Sequence, residues 1–145
     1  MLVYFSASHR NIKDEVKDYR DIVGAIKKLG HIVVDNWVEA AYHKAEAVEE
    51  RDWTAICMAA AAGLEDADII IAEVTGESSF GVGFEVASAL RSGKSVLLLV
   101  KKGKMWDSYA SGLDRGSVRC WEYDRQSIVQ IIHDFCLEVE SGVQG

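Results

Sequence analysis

The chain has no proline, only three cysteines, fewer basic than acidic residues, and no apolar run long enough to cross a bilayer. Without proline, turn-making falls to twelve glycines. Sixteen Lys and Arg against 23 Asp and Glu give a net charge of −7 and a pI near 5.1. That balance argues against binding along a nucleic-acid polymer, which needs dense cations to neutralise phosphates. It leaves room for a nucleotide ligand, because one phosphate needs only a local cluster of donors. Cys57, Cys120 and Cys136 are odd in number and lack metal-ligand spacing, so reduced structural thiols are expected. No segment approaches the roughly 18 apolar residues of a spanning helix. Met1-Leu2-Val3-Tyr4-Phe5 lacks the basic start of a secretion signal. A soluble, cytoplasmic protein with no membrane partner is the expectation.

What is present is ordinary globular material. A length of 145 residues suits one domain, and 49% hydrophobic residues are enough to bury a core. Short apolar runs alternate with longer helical patterns, the mark of a parallel α/β sheet. Strands are expected at 2–6, 31–35, 68–74, 95–100 and 118–123. The run Ile69-Ile70-Ile71-Ala72 is continuous, as in a central strand covered on both faces. Helices are expected at 14–29, 46–65, 84–92 and about 124–140. The order predicts a doubly wound, Rossmann-like, five-stranded parallel sheet flanked by helices, with right-handed crossovers. Residues 101–116 form the one long irregular stretch, a length usual for functional loops. Residues 141–145 are expected to fray.

Ligands of such sheets bind beyond the carboxyl ends of the strands. After the first strand stand Ser6, Ser8, His9 and Arg10, followed by Asn11 just before a helix. Hydroxyls and a guanidinium beside helix-terminal N–H groups suit a phosphate, although a polar helix-capping loop accounts for them equally. After the second strand comes Trp37, able to stack on a base or simply to be half-buried apolar surface. After the third strand, Ser78 and Ser79 bring hydroxyls, and Gly81 and Gly83 allow close backbone approach. Glu85 is expected within the first turn of the next helix, where the dipole favours an acid in any case. A Gly-x-Gly after the third strand, not the first, disfavours dinucleotide binding.

Two separated segments carry a resemblance. Val3-Tyr4-Phe5-Ser6-Ala7-Ser8-His9-Arg10, together with Ala67-Asp68-Ile69-Ile70-Ile71-Ala72-Glu73-Val74-Thr75 running on to Ser79-Phe80-Gly81-Val82-Gly83-Phe84-Glu85, is similar to the nucleoside 2-deoxyribosyltransferase superfamily. The 2′-deoxynucleoside 5′-phosphate N-hydrolases are the most similar branch. The likeness covers about residues 2–100 and continues more loosely through Trp121-Glu122-Tyr123. It implies Glu85 as the nucleophile and Tyr4 as the residue orienting it or the sugar. It implies Ser8, Arg10, Ser79 and the Gly81 and Gly83 backbone at a 5′-phosphate, with no metal or organic cofactor. The transferase branch tends to an acid where this chain has Ser79, which favours a nucleoside monophosphate over a free nucleoside. The implied chemistry resembles retaining glycoside cleavage through a covalent glycosyl ester.

Two departures accompany the likeness. The family's pattern places an aspartate, expected to help protonate the leaving base, eight residues before the Asp of its Ala-Asp-apolar strand; here that position is Ala60. Asp52 lies a further eight residues upstream, about 12 Å of helical rise and about 80° around, too far to replace it directly. In the long loop, Ser108 matches a serine given to the neighbouring subunit's phosphate site only across a gap, and Ser111 nearly as well. That implies a homodimer at least, and the apolar run 56–62 is a candidate contact. An N-glycosidase acting on a nucleoside monophosphate is the leading expectation. A deoxyribosyltransferase and a non-catalytic nucleotide-binding module are the alternatives.

Overall fold

The computed structural model describes residues 1–43, 51–76, 79–105, 112–113 and 115–142. Strands β1 (Leu2–Ser6), β2 (Ile32–Val34), β3 (Ile69–Glu73), β4 (Ser95–Lys101) and β5 (Val118–Tyr123) form one sheet. Their order is β2-β1-β3-β4-β5 and every pairing is parallel. The expected doubly wound α/β fold is therefore present.

Period-two alternation sorts the strand side chains onto two faces. Val3, Phe5, Ile69, Ile71, Leu97 and Leu99 pack under α1 (Ile12–Lys28) and the final helix α5 (Ile128–Ser141). Tyr4, Ile70, Ala72, Val96 and Leu98 pack under α3 (Trp53–Asp66) and α4 (Phe80–Arg91). Ile69, Ile70 and Ile71 are fully buried, and burial contributes about 1.5–3 kcal/mol for each. Among the described residues no helix is long and apolar enough to cross a membrane.

Several boundaries differ from expectation for identifiable reasons. Helix α1 begins at Ile12 because a 3₁₀ turn, His9–Asn11, carries the chain off β1. Gly30, at φ +82°, stops it. Helix α3 begins only at Trp53, because Asp52 caps it by accepting from the Ala55 N–H at 3.0 Å. Residues 46–50 of the helix expected there lie outside the described residues. Helix α4 begins at Phe80, four residues early, because Ser79 Oγ accepts from the Val82 N–H at 3.2 Å. Helix α5 begins at Ile128 because the Asp124 carboxylate accepts from the Gln126 and Ser127 N–H groups in a turn. A short helix, α2 (Trp37–His43), buries Val38 and Ala41 where no element was expected.

Candidate active site

Chain order reverses between β1 and β3, so the carboxyl ends of these strands flank the crevice where parallel sheets take ligands. Tyr4 and Ser6 are two residues apart on β1 and so share a face, the one beneath α4. Both reach Glu85. Tyr4 Oη donates to Glu85 Oε1 at 3.0 Å, and Ser6 Oγ donates to Oε2. Each carboxylate oxygen thus has its own hydroxyl donor, which fixes the orientation of the group. Ser6, expected at the substrate, is tied to Glu85.

Glu85 is the sixth residue of α4, not part of its first turn. The dipole effect fades within one turn, so it does not account for a glutamate here. Gly81 lies four residues earlier, on the same side of the helix, and a Cβ there would meet only Ser79 Oγ, at 3.9 Å. Gly83 has no neighbour within 4 Å of that position among the described residues.

The electrostatics follow from burial. Burial is the largest influence on Glu85 and lifts its pKa above the usual range. The Ser6 and Tyr4 hydrogen bonds oppose that lift, and the charge of Asp35 adds to it. Tyr4 is pushed far up, by burial first and then by the charge of Glu85, so it remains a protonated donor at ordinary pH. A second buried carboxylate, Glu73 at the end of β3, belongs to the other face. It accepts from the Thr75 hydroxyl and from Tyr123 Oη at 3.2 Å, which makes it a structural group.

The remaining expected residues are distributed as follows. Ser8 is buried, and its carbonyl accepts from Tyr19 Oη at 3.3 Å. Arg10 is exposed and forms no ion pair among the described residues. Ser79 caps α4 through its oxygen, which leaves its hydroxyl proton free to donate. Trp37 opens α2, gives its indole N–H to the Phe5 carbonyl at 2.9 Å, and stacks on His9 with ring centroids 4.0 Å apart. With His9 against it, Trp37 is built into the wall more than offered to a base. Burial, and then the charge of Arg51, lower the His9 pKa to about 4, so the ring is neutral. Ser108 lies outside the described residues. Ala60 packs beside the Tyr4 cluster, and Asp52 is occupied as a helix cap.

Two residues at this corner were not anticipated. Arg51 approaches His9 Nδ1 at 3.1 Å, and its Nη2 is buried without a hydrogen-bond partner among the described residues. Asp35, just beyond β2, is the one described non-glycine residue with positive φ, at 50°. A left-handed Asp closing a strand is a visible signal only once the strand's end is known.

The model of the family described as nucleoside 2-deoxyribosyltransferase matches residues 3–140. The 5-hydroxymethyl-dUMP N-hydrolase of Mus musculus is 26% identical over 144 residues, covering 92% of this chain and 78% of the relative. The protein of the same name from Esox lucius is 26% identical over 147 residues, covering 93% and 95%. The solved structure of the Clostridium botulinum CMP N-glycosidase superposes with a TM-score of 0.67 at 17% identity, covering 92% of this chain and 98% of that one. That last likeness concerns the fold alone. With a match over nearly its whole length, the chain belongs to the nucleoside 2-deoxyribosyltransferase family.

Proposed function

We propose that this protein hydrolyses the N-glycosidic bond of a nucleoside 5′-monophosphate, with Glu85 as nucleophile. The observation that carries the reading is the Glu85 carboxylate held at the strand ends by Tyr4 and Ser6. Two positioned donors orient a nucleophile for in-line attack, the kind of ordering that intramolecular reactions exploit. In the first step a Glu85 oxygen bonds to C1′ while the C1′–N bond breaks and its electron pair leaves with the base. The transition state is oxocarbenium-like, and the product is a glycosyl ester. Water then attacks C1′, the ester bond breaks, and the carboxylate returns with sugar 5-phosphate released. The names of the curated relatives support a nucleotide N-hydrolase over a binding module.

Ser79 supports a monophosphate as the substrate, since a hydroxyl donates to phosphate oxygens where a carboxylate would repel them. Ser8, Arg10 and the open Gly81 and Gly83 surface complete the phosphate site in this reading. A homodimer belongs to the same reading. Phe80 is 90% exposed, and Phe84 and Met58 are also exposed, on the adjacent helices α4 and α3. Exposed apolar surface of this kind marks protein contacts.

The test is a chromatographic panel of the eight common ribo- and deoxynucleoside monophosphates. Base release is expected from at least one, and Glu85→Gln is expected to abolish it while calorimetric binding persists. Wild-type activity in Glu85→Gln would sink the assignment. Adding a second free base distinguishes transfer, since an exchanged nucleotide appears only if the ester is captured by base instead of water.

A further inference from the structure

Glu85 needs a proton donor for the departing base, and the family's acid position is Ala60. The structure brings a different carboxylate to that corner. Asp35 follows β2 directly, and Val34 pairs with Tyr4 in the sheet. Gly63 on α3 marks where the elements meet. A Cβ at Gly63 would stand 3.1 Å from two Tyr4 ring carbons and 3.3 Å from the Asp35 Cβ. Gly63 is three residues from Ala60, a spacing that places both on one side of α3 about 5–6 Å apart. Asp35 therefore stands over the same patch of α3 that Ala60 occupies, approaching from the sheet instead of from the helix.

Three further observations agree. Asp35 holds a left-handed backbone, φ 50°, a sparsely populated state that collects at functional sites. Asp35 is exposed, and the burial of part of it raises its pKa, the direction a proton donor requires. Its charge acts on both Glu85 and Tyr4, so the three groups form one cluster. Among the described residues, the titratable groups that act on Tyr4 with Asp35 at this corner are Glu85 from α4 and Cys57 from α3.

Building on the nucleotide N-glycosidase reading, we propose that Asp35 is the general acid that protonates the leaving base. As the C1′–N bond breaks and the pair moves onto the base, the Asp35 carboxyl proton passes to that base. In the second step Asp35, now a carboxylate, takes the proton of the attacking water as its oxygen bonds to C1′ and Glu85 departs. Acid and nucleophile are both restored, and the net change is one water consumed.

The experiment compares a nucleoside monophosphate with a 4-nitrophenyl glycoside of the same sugar 5-phosphate, whose phenolate leaves without protonation. Asp35→Asn is expected to lose about 10²–10⁴-fold on the nucleotide and under about 10-fold on the nitrophenyl substrate. Asp35→Glu should recover part of the nucleotide rate. The wild-type enzyme gives an arm independent of any variant's folding. Its rate on the nucleotide should fall on the alkaline side as the acid ionises, and its rate on the nitrophenyl substrate should not. Equal losses on both substrates, or matching alkaline limbs, overturn the assignment of Asp35 while leaving the N-glycosidase intact. Absence of base release from every monophosphate removes both readings together.

Discussion

Tyr4 and Glu85 are 81 positions apart in the chain, and their hydroxyl and carboxylate oxygens stand 3.0 Å apart. The contact joins the first strand to the fourth helix at the reversal of strand order. It also ties the ionisation of Glu85 to a donor that never deprotonates under ordinary conditions. The consequences are measurable.

Tyr4→Phe removes one of the two donors that hold the Glu85 pKa down. The proposed mechanism requires an ionised Glu85, so the acid limb of the pH–rate profile should move to higher pH. A kcat loss of about 10–100-fold is expected, comparable to removal of one aligned hydrogen bond to a charged group. KM should change little. An unmoved acid limb would disconnect Tyr4 from the ionisation of Glu85.

Glu85→Gln should stabilise the protein at neutral pH. The folded-state pKa of Glu85 is raised by burial, so the native state binds more protons than the unfolded chain. Its contribution is favourable below the ordinary glutamate pKa and is lost as pH rises through the folded value. The gain from Gln should therefore be present at pH 7–8 and vanish in acid. About 1 kcal/mol, or a Tm rise of roughly 3–5 °C, is expected from calorimetric or fluorescence melts.

Gly63→Ala sets two effects against each other. Alanine improves helix propensity by about 1 kcal/mol, whereas overpacking costs about 1–3 kcal/mol. The new methyl lies 3.1 Å from the Tyr4 ring and 3.3 Å from Asp35, so those side chains must yield. The expected outcome is a small change in Tm with a clear fall in kcat. A variant with full activity would show that this corner tolerates displacement.

Phe80→Glu places a charge on an exposed aromatic that stacks on Phe84, with centroids 6.4 Å apart. Sedimentation should report a dimer for the wild type and monomers for the variant. A monomeric wild type would leave the exposed pair without the role given to it here.

Much of the fold is legible in the sequence because buried parallel strands announce themselves. Ile69-Ile70-Ile71-Ala72 and the 95–100 run are apolar without interruption, and all five strands stand where those patterns lie. Helix starts are harder, since Asp52 and Ser79 set them through side-chain caps that compete with the apolar period. Helix α2 is short, with only Val38 and Ala41 turned inward, so it offers almost no periodicity to detect. At the site, the family likeness brings out Tyr4 and Glu85, and the i, i+2 spacing explains why Ser6 joins them. Asp35 and Arg51 leave no comparable trace. Their proximity depends on how β2, α2 and α3 fold over β1, a relation in space that no local spacing encodes.

The alternation of β1 places Tyr4 and Ser6 on one side of the sheet and Val3 and Phe5 on the other. The sheet thus acts as a partition between two kinds of selection. Changes beneath α1 and α5 reach Glu85 only through stability, whereas changes beneath α3 and α4 meet it directly. Substrate preference in this chain should therefore be easiest to redesign from the α3–α4 side, with the opposite layer reserved for compensating thermostability.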